Sequence, residues 1–469
     1  MNPTPSVSGL RHSLKRRHMS MIALGGVIGA GLFVGSGVVI KSAGPAAVIS
    51  FAITGFLVLL VMRMLGEMAV AVPTVGSFYE YARLAWTDRP AIGKLAGFLT
   101  GWMYWYFWVI CVALEAVAGA GLVRFWLPNE PAWAISLALL LMLTVTNLVS
   151  VRSFGEFEFW FASIKVAAIV VFLLAAGLYV TGLWPGVAAS TVNLTAHGGF
   201  APNGLLPVLT GAVAATGFYF GAEIVTIAAA EAVEPEKAVA RATNSVISRV
   251  LLFYVGSIFL VVCLVPWNSA SIETPYVSAL NAMGIPAAAQ IMNAVVLTAV
   301  LSALNSGLYA SSRMLFALTR RGDAPHGLAA LTRKGVPARA ILLGTLFGYV
   351  AVIMSYVSPD TVFAFLVNSY GTVAIFVYLL IAVSQLRLRA RLEREDPARL
   401  ALRMWAYPYL TYLAIAGMLS ILIAMAFIPD QRTPLIFGVV SLGILILICS
   451  ARARFGRNVE IVASTLEPG

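Results

Sequence analysis

The sequence predicts an all-α membrane protein of twelve transmembrane helices. Ten of them form two consecutive groups of five in an inverted repeat with helices 1 and 6 broken, and the last two are peripheral. Three observations carry this reading. Of 469 residues, 60% are hydrophobic and 11% charged, with a mean hydropathy of +0.90, which is more apolar surface than a water-soluble domain of ordinary composition holds. Twelve stretches reach the roughly 20 apolar residues that a helix needs to cross the hydrocarbon core. Glycines interrupt the first and the sixth of these, at equivalent places in the two groups of five, the pattern of an inverted-repeat transporter.

Taken in order, a basic leader (1–20) precedes the first span, 21–40. That span contains Gly25, Gly26, Gly29 and Gly31, where an ordinary helix would carry Leu or Ala. Glycine weakens a helix, and unpaired backbone survives at membrane depth only when buried in protein or lining a cavity, so the interruption points to half of a polar site. Close helix packing is the competing explanation for such glycines. A dinucleotide fingerprint is excluded because no strand precedes the motif. The second span, 45–70, ends with Arg63 and Glu67 at i,i+4 spacing, which suits an interfacial ion pair. Residues 73–82 mix aromatics and charges as a surface element does.

The third span starts near Gly97, carries Trp102, Tyr104, Trp105, Tyr106 and Trp108, and then buries Glu115. A carboxylate at that depth is costly and faces a partner, water or substrate, unless it is held as a structural, hydrogen-bonded acid. The fourth span is 132–150. The fifth, 157–180, includes Lys165, which either snorkels to the interface or is a buried amine that takes up and releases a proton. The sixth, 206–230, carries Gly211, Gly217, Gly221 and Glu223. Packing glycines need not recur at corresponding positions in two repeats, so this second interruption favours a binding site over packing alone.

Spans seven to ten cover 246–265, 287–318, 340–356 and 361–385. Span eight is lined by Ser302, Asn305, Ser306 and Tyr309. Most such groups bond to neighbouring helices, and a few line a pathway. Spans eleven (408–428) and twelve (434–450) lack buried charge and glycine breaks, which suits peripheral or oligomer-forming helices. The segments are thus a leader 1–20, a first repeat 21–182, a second repeat 206–386, a basic loop 387–404, helices eleven and twelve in 405–452, and a tail 453–469. The arginines of the basic loop also suit an anionic inner leaflet.

The formal charge of +11 does not indicate nucleic acid, because of where it lies. All but Lys41, Arg124, Arg432 and the intramembrane Lys165 of the 31 lysines and arginines fall on alternate loops. This places both termini in the cytoplasm. No cleavable signal is expected, since the first span is too long for one. Cys111, Cys263 and Cys449 sit in apolar segments at unrelated spacings, giving neither a disulfide framework nor a metal cluster. An enzyme is not expected: no nucleophile and base pair appears in the spans, and His12, His18, His197 and His326 read as loop residues.

Five stretches together resemble the amino acid permeases of the amino acid–polyamine–organocation superfamily, over essentially the whole chain. They are residues 20–33 (SMIALGGVIGAGLF), 73–82 (PTVGSFYEYA) followed by Gly97-Phe98 and Gly101-Trp102, 220–223 (FGAE), 241–244 (RATN) and 312–315 (SRML). Within that family the chain looks most like bacterial γ-aminobutyrate permeases, through 220–231 (FGAEIVTIAAAE), Asn305-Ser306, 320–325 (RRGDAP) and 382–386 (AVSQL). The resemblance implies the five-plus-five inverted-repeat fold and proton-driven symport of an amino acid across the bacterial inner membrane, with H+ as coupling ion and no other cofactor. It puts the substrate carboxylate on the amides around Gly29, Ala30 and Gly31, next to Ile28, and the amine near the carbonyls of Gly217 and Phe220, with Gly221, Ala222, Glu223 and Asn305 completing the set. Lys165 matches a fifth-span lysine that replaces sodium between spans one and eight in some relatives, and Glu115 and Glu223 are rival proton carriers. The substrate implied is γ-aminobutyrate, the alternatives being another neutral amino acid or proline, or a sensor that binds an amino acid without moving it. Oligomeric state is not legible.

Overall fold

The computed structural model describes residues 21, 28–29, 31–72, 74, 77–149, 151–228 and 251–465. Of the segments and motifs singled out above, the leader, Gly25, Gly26, Ala30, Pro73, Val75, Gly76, residues 229–250 with the RATN motif and the start of span seven, and residues 466–469 lie outside the described residues. The described chain is all-helical, with no strand. After a π-helical turn at Gly31–Gly35 come α1 (Ser36–Ala43), α2 (Ala47–Ala71), α3 (Phe78–Leu84), α4 (Pro90–Val123), α5 (Ala132–Val149) and α6 (Val151–Val180). Next are α7 (Leu206–Tyr219), α8 (Ile224–Ala228), a π-helical turn Leu252–Gly256, α9 (Ser257–Leu264), α10 (Pro275–Ala282) and α11 (Ala288–Arg320). The chain then continues through α12 (Ala338–Val357), α13 (Pro359–Glu395), α14 (Tyr409–Phe427) and α15 (Pro429–Thr465).

Ten helical runs among the described residues are long and apolar enough to cross a membrane. One of them, Gly31–Ala71, is 41 residues long, about twice the roughly 20 that a crossing needs. It is broken where Gly44, at φ +68°, precedes Pro45 in a short 3-10 turn. Glycine takes that dihedral without penalty, and proline cannot continue the helix hydrogen bonds. Proline also opens α4, α7, α10 and α13, where its missing N–H would have no helical partner in any case.

The centre of the bundle is α11 packed on α4, α5, α6 and α12, with α2 on α7 and α13 against both α4 and α7. Burial sorts centre from rim: 78% of the most apolar window of Leu206–Ile227 is inside, against 17% for Gln431–Ala453. The remaining surface of the outer helices is apolar, as on Val171 and Leu174 of α6 or Ile423 and Phe427 of α14, and this is the surface that lipid covers. The three cysteines are free and buried.

At the basic end of the bundle, the helix expected to stop at Gln385 continues to Glu395, so the first part of the expected basic loop is helical. Its arginines alternate with apolar residues, and hydropathy falls before the helix does. Glu67, four residues after Arg63 and within its field, is held also by Arg389, by Gln385 Nε2 at 2.7 Å and by the Met404 amide at 2.5 Å. Arg63 Nε donates to the Arg403 carbonyl at 2.8 Å and lies over the Trp405 ring. Nearby, the hydroxyl of Tyr79 on α3 donates to Asp323 at 2.6 Å, and Arg83 reaches the same oxygen at 2.9 Å. Burial, and then the bond to Asp323, push the Tyr79 phenol up, so it remains a donor at any physiological pH.

Glu67→Ala removes the acceptor of three donors and strips a buried arginine of one carboxylate, a loss worth about 3 kcal/mol. Heated in detergent and followed by size exclusion, this variant is expected to lose its monodisperse peak several degrees below the parent. Glu273→Ala, which breaks an ion pair with Lys41 whose side chains are 71% and 60% exposed, is expected to leave the midpoint where it was.

Candidate functional site

The two interruptions face each other through glycine. At the first, Ile28 and Gly29 are non-helical and the chain re-enters helix through the π-helical turn, a distortion that recurs at functional positions. At the second, α7 stops at Tyr219, Phe220 is extended (φ −68°, ψ 140°), Gly221 takes φ +123°, and α8 begins at Ile224. The ring of Phe218 lies across the first break: a β-carbon on Gly31 would come within 2.3 Å of it, and one on Gly35 within 2.5 Å. Gly217 is pressed in the same way on Tyr370, at 2.4 Å. The packing explanation therefore holds at Gly31, Gly35 and Gly217.

Three of the backbone groups at the breaks are met by side chains. Lys165 Nζ, on α6, donates to the Ile28 carbonyl at 2.7 Å and to Ser302 Oγ of α11 at 2.8 Å. The side chain is fully buried, so it does not snorkel. The Phe218 carbonyl accepts from the Tyr254 hydroxyl at 2.7 Å, and the Gly221 amide donates to Glu223 at 2.9 Å. Glu115, from α4, places its Oε1 3.2 Å from where a β-carbon on Gly29 would stand, and its Oε2 has no hydrogen-bond partner among the described residues.

The structure thus gathers Ile28, Gly29, Glu115 and Lys165 at one break. Gly217, Phe220, Gly221, Ala222 and Glu223 gather at the other. Phe220 sits among aromatic rings, with centroids 3.9 Å from Phe107, 4.7 Å from Tyr378 and 5.8 Å from Tyr104. Glu223 bonds Gly221 and, at 3.3 Å, Tyr378. No hydrogen bond among the described residues joins it to Lys165. Gly31 belongs to both groups through Phe218. Asn305 accepts from Asn147 of α5 at 2.8 Å, on the side of α11 that carries Ser302.

Sequence reasoning missed Glu158, which is fully buried and accepts from Ser302 Oγ at 2.7 Å. The signal was present: Glu158 and Lys165 are seven residues apart, two turns along one helix face. It was passed over because the span was drawn from 157, whereas α6 starts at Val151 and carries Glu158 into the bundle. Tyr370, close to both Glu115 and Glu223, and Phe218 were missed as well, since neither carries a charge to draw notice.

Comparison with known proteins decides the family. The amino acid permease family profile matches residues 18–462. The γ-aminobutyric acid permease of Bacillus subtilis (strain 168) is 53% identical over 444 residues, covering 94% of this chain and 93% of that protein. The chain belongs to the amino acid permease family. It is an integral membrane protein, in keeping with the ten apolar helices among the described residues. The γ-aminobutyric acid permease of Escherichia coli (strain K12) is 46% identical over 436 residues, 92% of each chain. Among solved structures, a manganese transporter mutant of Eremococcus coleocola matches with a TM-score of 0.59 at 12% identity, over 95% of this chain and 97% of that one. At that identity the likeness concerns the fold.

Gly31→Ala must displace Phe218, so amino acid uptake is expected to fall by about tenfold or more. Gly177→Ala, on α6, meets nothing within 4 Å and is expected to leave uptake unchanged. Radiolabelled uptake in cells expressing equal amounts of each variant tests both.

Proposed function

We propose that this permease imports γ-aminobutyrate together with a proton across the bacterial inner membrane by alternating access. The substrate follows from the two relatives named above, whose printed names carry it. The coupling rests on one observation: a fully buried lysine amine that ties the carbonyl of the first break to α11. An ammonium there makes a charge-assisted bond, roughly twice as strong as a neutral one, so protonation of Lys165 holds the break and deprotonation loosens it.

In this reading the fold has twelve crossings. Gly31–Ala71 counts as two, and the segment ending in α9 supplies the remaining one. Both termini are cytoplasmic, the two halves are inverted repeats, and the segment boundaries are those set out from the sequence, except that the helix before the basic loop runs on to Glu395. The substrate carboxylate lies on the amides at Gly29, Ala30 and Gly31, and the amine at the carbonyls of Gly217 and Phe220. Opposite ends of the zwitterion then meet opposite backbone dipoles, which offsets a desolvation penalty of several kcal/mol per ion. Glu115 beside Gly29 would repel a carboxylate when ionised, so a proton on Glu115 favours substrate binding there. H+ is the coupling ion, no cofactor takes part, and the protein catalyses no covalent chemistry.

A proton moving down 100 mV supplies about 2.3 kcal/mol, enough for about fifty-fold accumulation before any pH gradient is added. Purified protein in proteoliposomes with valinomycin-set potential and an inward proton gradient is expected to accumulate γ-aminobutyrate. A protonophore should abolish this, and Lys165→Ala should lower it by about a hundredfold. Uptake that instead tracks sodium overturns the coupling. Stronger competition by proline or another neutral amino acid overturns the substrate.

A further inference from the structure

Two buried ionisable groups lie on one face of α6, and the function proposed so far uses only one of them. Glu158 precedes Lys165 by seven residues, about 10 Å along the helix, toward the end of the bundle that carries the basic segments. Between them stands Ser302 Oγ, which accepts from Lys165 Nζ at 2.8 Å and donates to Glu158 Oε1 at 2.7 Å. All three residues are fully buried. The chain amine, hydroxyl, carboxylate is continuous at hydrogen-bond distance.

We propose that Glu158 is the acceptor into which Lys165 discharges its proton through the Ser302 hydroxyl, so that the proton leaves by a path separate from the substrate site. This rests on the proton-coupled reading above. In the step, an Nζ–H bond of Lys165 breaks as Ser302 Oγ takes the proton, and the original Ser302 O–H bond breaks as Glu158 Oε1 takes that one. The hydroxyl is regenerated, the ammonium becomes a neutral amine and the carboxylate a neutral acid. No electron changes hands. The neutral amine then holds the Ile28 carbonyl only as an ordinary donor, which frees the first break as the proton moves on.

Glu158 reaches Lys165 through the Ser302 hydroxyl, as the station at the end of a relay would. Its Oε2 has no hydrogen-bond partner among the described residues. Asn305 and Ser306, buried on the next turn of α11, lie beside the carboxylate as further donors. The other charged group near Lys165 is Glu115, on α4. It lies against Gly29, on the side of the first break, where it can load Lys165 but is not on the exit route.

The test uses the full-length protein in proteoliposomes with trapped pyranine. γ-Aminobutyrate exchange is measured at equal pH on both sides, and proton-driven accumulation with internal acidification under an imposed gradient. For Glu158→Gln, exchange is expected to stay within about threefold of the parent, while accumulation and acidification fall by about a hundredfold and lose their pH dependence. Glu158→Asp is expected to restore part of the coupling, and Ser302→Ala to impair it as Glu158→Gln does. Normal accumulation by Glu158→Gln overturns the proposal. So does loss of exchange and accumulation together, which is what a purely structural role predicts. Coupling that survives Ser302→Ala overturns the hydroxyl step. The parent protein reads the underlying premise separately: if it accumulates substrate without protons, proton coupling itself fails, whatever the variants do.

Discussion

A helix interrupted inside a low-dielectric bundle frees backbone donors and acceptors that water cannot reach, and each needs a partner supplied from elsewhere in the fold. The arrangement of this permease follows from that constraint. The Ile28 carbonyl is met by a lysine from α6, the Phe218 carbonyl by a tyrosine from the turn before α9, and the Gly221 amide by a glutamate two residues on. Each partner comes with chemistry of its own: a titratable amine, a phenol, a carboxyl. Satisfying the break and equipping the site are one act.

The glycines can be understood in the same terms. Gly31, Gly35 and Gly217 give up their side chains so that Phe218 and Tyr370 can press against the two breaks. Gly221 is different, because its φ of +123° is open to glycine and closed to almost every other residue. One set of glycines buys proximity. The other permits a turn.

Much of this was legible in the sequence, for reasons that are local. Helix type, membrane depth and the two breaks are set by hydropathy and glycine placement within one segment, and the apolar stretches at 132–150 and 408–428 lie almost on α5 and α14. Lys165 and Glu115 were visible because charge inside an apolar run is rare. What stayed hidden is tertiary. Glu158 sat at an edge drawn by hydropathy, and only the earlier start of α6 carries it inside. The partner of Glu67 could not be read because Arg389 lies over three hundred positions away, on a helix that outlasts its own apolar pattern. The meeting of Glu115 with Gly29 is likewise a property of how α4 crosses the first break.

The three buried cysteines matter for how such a protein can be watched at work. Their thiols lie inside the bundle, so a maleimide dye finds few native targets on the folded molecule. The exposed pair Lys41 and Glu273, drawn from the first and second halves of the chain and 3.0 Å apart, then offers two attachment points. A donor and acceptor fluorophore placed there, or a crosslinker of graded length, would report the separation of the two halves at that end through the transport cycle.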